Sequence, residues 1–165
     1  MGPCSLGFAK YRDDAYRVEP IAATTSALVE LDIETCWRLL HDHHFGRLAF
    51  VVNEQPMIFP LNYAVVGNDV VFRSDEGLKM RAAVNELVAF QIDGTNAMYH
   101  EGWTVLLLGT MREELDATVT RELDALPLGT WVPGSKRHWI RISGDTVTGR
   151  RIERCNASEH QTDNY

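Results

Sequence analysis

The sequence predicts a mainly β fold, an antiparallel barrel or sandwich of about six to seven strands with a few helices. Short apolar runs recur along the chain with polar turn segments between them, at a spacing of about 8 to 12 residues that is typical of such folds. Helical periodicity appears in only a few stretches. The length of 165 residues suits one domain that buries roughly 70% of its unfolded surface. We therefore expect a single domain at 27–154, between an N-terminal arm at 1–26 and a polar tail at 155–165.

Seven segments have the pattern of strands. They are 47–52, 57–66, 70–74, 88–93, 103–113, 139–142 and 146–152. The polar segments 53–55 and 67–69 predict turns, so neighbouring strands are expected to pair antiparallel. Residues 105–108 form an unbroken apolar run, whereas a strand with one wet face would alternate. Both faces of that strand should be covered, which predicts a homodimer.

Two helices flank the predicted strands. Asp32 is placed to cap the first helix, with Leu31 and Cys36 positioned as a hydrophobic staple across its start. The apolar face of this helix is expected to contain Ile33, Trp37 and Leu40. The second helix should begin near Asp116 and lie across an end of the sheet. Its apolar stripe contains Val119, Leu123 and Leu126.

Composition excludes several classes of partner. Lys and Arg number 16 against 23 Asp and Glu, a net charge of −7, so the chain lacks the basic surplus that nucleic acid rewards. No apolar stretch approaches the roughly 20 residues that span a bilayer, and residues 1–10 lack the apolar core of a signal peptide. We therefore expect a cytoplasmic protein without nucleic-acid or membrane partners.

The cysteines and histidines do not predict a metal site. The three cysteines lie far apart in the chain, at Cys4, Cys36 and Cys155. This spacing favours reduced thiols over disulfides or structural zinc, and a cysteine within the first helix is expected to be a small buried apolar residue. Three histidines crowd the end of that helix, His41, His43 and His44. Imidazoles suit a helix C-terminus without any metal, so we expect none there.

A phosphate site is predicted where the third strand ends. Lys79 begins a segment of helical propensity just after that strand, where backbone N–H groups and a cation converge. Arg73 is the natural second cation, and Arg81 competes for this role. Asp75 and Glu76 count against the site, because carboxylates repel a phosphate unless they turn outward.

A second candidate site lies on the strand at 57–66. Pro60 removes a backbone donor, which confines it to an edge or to a place where something else sits against the backbone. Asn62 shares its strand face with Pro60, whereas Tyr63 faces the other way and is expected in the core. Trp103 follows a glycine-rich segment, 94–102, that we expect to be a flexible loop. It is either a core tryptophan or part of a site. No Ser-His-Asp or paired-carboxylate arrangement favours hydrolysis.

Several motifs in order resemble one known family. They are GRLA at 46–49, PLNY at 60–63, FRS at 72–74 with a lysine at 79, VAFQID at 88–93, GWTV at 102–105, and WIRI with TGRR at 139–151. In this order, over about 28–153, they resemble the flavin-binding split barrels related to pyridoxamine 5′-phosphate oxidase, in the branch that includes nitroimidazole-resistance proteins.

The resemblance implies an antiparallel split β-barrel and a homodimer that binds FMN at the subunit interface. It implies an oxidoreductase acting on a small-molecule redox substrate, because flavin supplies the redox chemistry itself. The cofactor-binding residues it implies are Pro60, Leu61, Asn62, Phe72, Arg73, Ser74, Lys79, Met80, Trp103 and Thr104. Two alternatives stay open: a deazaflavin or haem on the same fold, and a non-enzymatic flavin-binding or stress-related protein.

Overall fold

The computed structural model describes residues 25–75, 84–99, 101–129 and 136–155. These residues form nine strands and two helices. The strands are β1 (Thr25–Leu31), β2 (Phe45–Val52), β3 (Gln55–Asn62), β4 (Ala64–Val66), β5 (Asp69–Ser74), β6 (Leu87–Asn96), β7 (Glu101–Glu113), β8 (His138–Ser143) and β9 (Thr146–Cys155). The helices are α1 (Ile33–Asp42) and α2 (Ala117–Asp124). The predicted arm falls almost entirely outside the described residues, and so does nearly all of the predicted tail.

The strands form one antiparallel sheet. Its hydrogen-bonded order is β3-β2-β6-β7-β8-β5-β4, and β9 pairs with both β7 and β1. In the described part of the chain no pairing joins β3 to β4 or β5, so the sheet curls without closing into a barrel. The predicted mainly antiparallel β fold is confirmed.

The strand count exceeds the prediction for two reasons. The predicted strand 57–66 is divided at Tyr63 into β3 and β4. In addition, β1 was not predicted from the sequence. It pairs along its whole length with β9. The first turn is shorter than expected, because Asn53 and Glu54 alone form it with positive φ angles of 50° and 64°. Such a two-residue turn matches the twist of a hairpin.

The prediction of a flexible loop at 94–102 is wrong at both ends of the segment. β6 continues to Asn96 and β7 begins at Glu101, so residues 94–96 and 101–102 belong to a long hairpin. The physical reason is visible at Gly94, where an added Cβ would lie 2.6 Å from the indole nitrogen of Trp103. The glycine makes room for a large side chain on the neighbouring strand rather than loosening the backbone.

The core lies on the concave face of the sheet. Its largest fully buried side chains include Tyr63, Phe72, Phe90, Leu40, Leu48, Ile92 and Leu107. α1 covers one end of this core, and its N-cap is confirmed because Asp32 accepts a bond of 2.7 Å from the Thr35 amide. This bond is the largest cause that lowers the pKa of Asp32. Cys36 is buried with a free thiol, as predicted, whereas Ile33 is exposed and does not belong to the apolar face.

A second, smaller cluster lies under α2. Asp116 caps this helix as predicted, accepting bonds from the Thr118 and Val119 amides. Leu123 is buried against Val71 and Trp139. Val119 and Leu126 pack against the same cluster, so the predicted stripe is confirmed.

Candidate functional site

The second candidate site, with Pro60 and Asn62, lies at one end of the sheet, where β3, β2, β6 and β7 run side by side. Pro60 is the partner of Arg47 on β2. The Arg47 guanidinium forms an ion pair with Asp93, and Asp93 is in turn the partner of Thr104 on β7. These four side chains therefore form a band across the convex face of four adjacent strands, apolar at Pro60 and polar at the other three positions. The sequence analysis missed Arg47 and Asp93, which are 46 residues apart in the chain.

Pro60 points its nitrogen at the outer edge of the sheet. The Tyr63 amide donates to the His44 carbonyl at 3.1 Å, which continues the ladder between β3 and β2. By the period of two, the amide of Leu61 also points towards β2, and the nitrogen of Pro60 points away from it. Among the described strands β3 pairs only with β2, so Pro60 lies on an edge. The proline removes a donor there without breaking a ladder bond.

Asn62 and Tyr63 connect this edge to α1. The Asn62 side-chain amide donates to the His44 carbonyl at 3.4 Å. Tyr63 is fully buried, as predicted, and its hydroxyl donates to the Leu40 carbonyl at 2.9 Å. Burial raises the pKa of Tyr63 well above its ordinary range. Leu61 turns inward and packs against the core, so it contributes backbone rather than side chain to the outer edge.

Thr104 and Trp103 occupy opposite faces of β7. The Thr104 hydroxyl accepts from the Gln91 amide at 3.1 Å and lies 3.3 Å from the Ile92 carbonyl, to which it donates. Trp103 is half-buried on the concave side and packs against the core. Its ring meets that of His43 edge-on, with 4.8 Å between centroids. Within one chain, the structure therefore groups Thr104 with Pro60 and places Trp103 on the other side of the sheet.

His43 and Trp103 line a cleft of about 820 Å³ at the C-terminal end of α1. The sequence analysis assigned the histidines at 41, 43 and 44 only to the helix end and did not connect them with Trp103. The described residues contain no group of three or more His, Cys, Asp or Glu side chains placed to hold a metal ion.

The predicted phosphate residues are only partly described. Phe72 is buried in the core, and the Ser74 hydroxyl donates to the Asp75 carbonyl at 3.0 Å. Arg73 lies on the opposite face, where its guanidinium is 2.6 Å from an Asp124 carboxylate oxygen and 5.0 Å from the centroid of the Trp139 ring. Its Nε is buried, and no hydrogen-bond partner for it lies among the described residues. Lys79 and Met80 lie outside the described residues, together with Glu76 and Arg81.

Comparison with known proteins identifies relatives of this chain. A family model described as pyridoxamine 5′-phosphate oxidase matches residues 32–151. The uncharacterised protein Rv0080 of Mycobacterium tuberculosis is 30% identical over 131 residues, 76% of this chain and 86% of that protein. Among the described residues, no helix is both long and apolar enough to cross a membrane.

Two solved structures from Mycobacterium smegmatis share the fold. One is the FAD binding protein, with 33% identity and a TM-score of 0.67, over 78% of this chain and 100% of that one. The other is the FAD and heme binding protein, with 18% identity and a TM-score of 0.62, over 79% of this chain and 77% of that one. At 18% identity the second likeness shows the fold alone.

Proposed function

Because the chain belongs to the pyridoxamine 5′-phosphate oxidase family, we propose that it is a homodimeric oxidoreductase that binds FMN at the interface between its subunits. The observation that carries this proposal is the exposed convex face of the sheet. It combines the band formed by Pro60, Arg47, Asp93 and Thr104 with an apolar surface beside it. The relative of 33% identity, which is an FAD binding protein, supports a flavin as the ligand.

The residues on this face fit a planar ring with polar edges. Pro60 offers a flat, apolar surface without an N–H, and Asn62 supplies both a donor and an acceptor two residues further along. Arg47 and Asp93 add a cation and an anion within the same band. Flavin, when bound, supplies the hydride or electron transfer, so the protein needs to hold and orient it rather than provide a nucleophile.

The phosphate would be held at the end of β5. Lys79 is the principal cation in this proposal, with Met80 beside it and the Ser74 hydroxyl at the strand end. The contact between Arg73 and Asp124 uses one terminal nitrogen of a guanidinium that has five N–H donors, so a phosphate contact by Arg73 is compatible with it.

The dimer is proposed from the apolar part of the convex face. On β7, Val105 and Leu107 are fully buried within the chain, whereas Leu106 is 36% exposed between them. Val51 and Ile58 are 62% and 67% exposed on neighbouring strands. Ala49, Ala89 and Leu108 lie between these side chains by the strand register. A contiguous apolar surface of this kind marks a binding face, and a second copy would cover it.

The cofactor is tested by the visible spectrum of the purified full-length protein and by the mass of the molecule released on denaturation. We expect a flavin spectrum and the mass of FMN. Release of FAD would correct the nucleotide but keep the flavin. A haem or deazaflavin spectrum, or no bound chromophore after incubation with FMN, would contradict the proposal. Turnover of a small-molecule acceptor with a nicotinamide donor then separates an oxidoreductase from a flavin-binding protein without activity.

The position of the ring is tested by Asn62→Leu. Removing the amide should weaken FMN severalfold and shift its reduction potential, because hydrogen bonds to the ring tune its electronics. Gln55→Leu, at the other end of β3, is the matched control and should change neither quantity. If Asn62→Leu leaves the affinity and the potential as they are in the wild type, the ring must be placed against another strand.

A further inference from the structure

The cleft beside α1 lies on the concave side of the sheet, opposite the face that carries Pro60 and Thr104. Its floor comes from β6, β7 and β9, where Gly94 is the partner of Trp103 and Trp103 is the partner of Arg151. Leu39 and His43, at the end of α1, form one wall. A volume of about 820 Å³ is in the range of small-molecule sites. The flavin proposal does not use this cleft, although the family resemblance implies Trp103 as a cofactor-binding residue.

Aromatic rings line the cleft. The indole of Trp103 lies against Gly94, which has no Cβ to hold it away, and meets the His43 ring edge-on. Tyr99 also lines the cleft and is 49% exposed. The faces of tryptophan and tyrosine rings carry negative partial charge, and they attract cations placed over them.

The polar groups of the cleft favour positive charge. Among the described residues, the charged side chains that line the cleft are Glu101, Glu153 and Arg151, whose guanidinium is 3.4 Å from Glu153. Arg151 thus offsets one carboxylate, and Glu101 remains as the excess. The C-terminal end of α1 adds a partial charge of about −0.5 at the same wall.

His43 adds an acceptor rather than a donor. Its Nδ1 is 2.8 Å from the Leu39 carbonyl, a contact that requires a proton on Nδ1. In the neutral ring, the lone pair is then on Nε2. In the part of the chain that the structure describes, the charged groups of the cleft are therefore two carboxylates and one guanidinium, and His43 adds an imidazole nitrogen as an acceptor.

We propose that this cleft binds a planar organic cation, a heteroaromatic ring that carries a quaternary or protonated nitrogen. Such a ligand places its flat face on Trp103 and its charge near Glu101 and Glu153. Phosphorylated ligands are disfavoured, because among the residues described two carboxylates outnumber the one guanidinium in the cleft and repel an anion. The proposal does not depend on the flavin, since the two sites lie on opposite faces of the sheet.

The test uses three probes of similar shape and different charge, titrated calorimetrically into the full-length protein at about pH 8. N-methylisoquinolinium is the cation, isoquinoline the neutral ring and naphthalene carboxylate the anion. We expect the cation to bind at least tenfold more tightly than the anion, with the neutral ring between them. Equal affinities for cation and anion, or no binding of the cation at millimolar concentration, would overturn the proposal.

Carboxylate variants locate the site. Glu101→Gln and Glu153→Gln should each weaken the cation severalfold and leave the neutral ring nearly unchanged. Glu122→Gln, on the exposed face of α2, is the matched control and should bind all three probes as the wild type does. Cation binding that is insensitive to both cleft variants would assign the cation to another surface and overturn the proposal.

Trp103→Phe and Trp103→Leu test the aromatic contribution. Phenylalanine should keep most of the affinity for the cation, and leucine should lose about tenfold. Circular dichroism of each variant separates a loss of binding from a loss of fold, and the carboxylate variants, whose side chains are exposed, decide the matter if Trp103→Leu does not fold. FMN content, measured in the same samples, reports separately on the flavin proposal.

Discussion

Both faces of the β6–β7 pair carry apolar side chains, but these side chains differ in burial within one chain. On the concave face, Phe90 and Leu107 are fully buried against α1 and the rest of the sheet. On the convex face, Leu106 of β7 is 36% exposed and lies between Gln91 of β6 and Thr148 of β9. Apolar composition alone therefore does not decide which face becomes core. The decisive difference is whether another element of the same chain covers the face.

The largest expected effect comes from a substitution in the core on the concave face. Phe90 is fully buried and its ring meets that of Tyr63 edge-on, with 4.8 Å between centroids. Phe90→Ala should lower the free energy of unfolding by about 3–5 kcal/mol, because it removes both transfer energy and packing. Urea unfolding followed by circular dichroism measures this change. Leu106→Ala is the matched control on the other face, and a comparable loss there, at a concentration where the protein is monomeric, would contradict the distinction between the faces.

The next largest effect comes from a substitution on the convex face that disrupts the proposed dimer and leaves the core unchanged. Leu106→Asp places a charge in the middle of the proposed dimer interface, where burying it unpaired is costly. We expect the dimer to dissociate at least about a hundredfold more readily, while the monomer keeps its fold. Sedimentation across a range of micromolar concentrations gives the mass. Leu115→Asp, an exposed leucine before α2, should leave the mass unchanged. A wild-type protein that sediments as one chain would end the dimer proposal.

The contrast between the faces also explains what the sequence could predict. Caps at Asp32 and Asp116 and the turn at Asn53 depend on residues within a few positions of each other, so local patterns located them. The resemblance to a family then selected the split barrel from the wider class of antiparallel folds. Burial of Tyr63 followed from the period of two along a strand whose partner face was already assigned.

Features that depend on distant segments were missed for a physical reason. β1 is a strand because β9, more than 110 residues away by sequence, offers it a partner along its whole length; its register runs from Thr25 with Cys155 to Leu31 with Gly149. Gly94 suggested flexibility, although it actually accommodates Trp103 on the neighbouring strand. The ion pair of Arg47 with Asp93 likewise forms only once β2 and β6 are side by side. Such pairings have no local signature.

A third prediction concerns the proposed phosphate-binding site at the end of β5. Lys79→Ala should weaken FMN about ten- to hundredfold, because a charge-assisted contact contributes roughly 1.5–3 kcal/mol. Flavin titration of both proteins measures the change, and equal dissociation constants would remove Lys79 from the site. Two further variants, Arg73→Gln and Asp124→Asn, test whether Arg73 also contacts the phosphate. Both break an ion pair and should lower stability by about 1 kcal/mol or less, but only Arg73→Gln should weaken FMN if the guanidinium also contacts the phosphate.

The last prediction tests the hydrogen bond that joins the concave face to α1. The buried Tyr63 hydroxyl donates to the Leu40 carbonyl at 2.9 Å, so Tyr63→Phe leaves a buried acceptor without its donor. We expect a loss of about 1–2 kcal/mol in the free energy of unfolding near neutral pH.

The same tyrosine gives the stability a pH dependence with a definite sign. Burial raises the pKa of Tyr63 in the folded state, so its neutral form is retained there while the unfolded chain ionises near the ordinary value of about 10. The stabilisation is therefore complete below about pH 10 and falls as the pH rises further, by up to about 1.4 kcal/mol per pH unit for this one group. Urea unfolding of wild type and Tyr63→Phe between pH 8 and pH 11 measures the difference, with Tyr99→Phe as a control at an exposed position. The difference in unfolding free energy between wild type and Tyr63→Phe should shrink by about 1.4 kcal/mol between pH 8 and pH 11. Curves that stay parallel would mean that the hydroxyl reaches solvent and that α1 does not seal this end of the core.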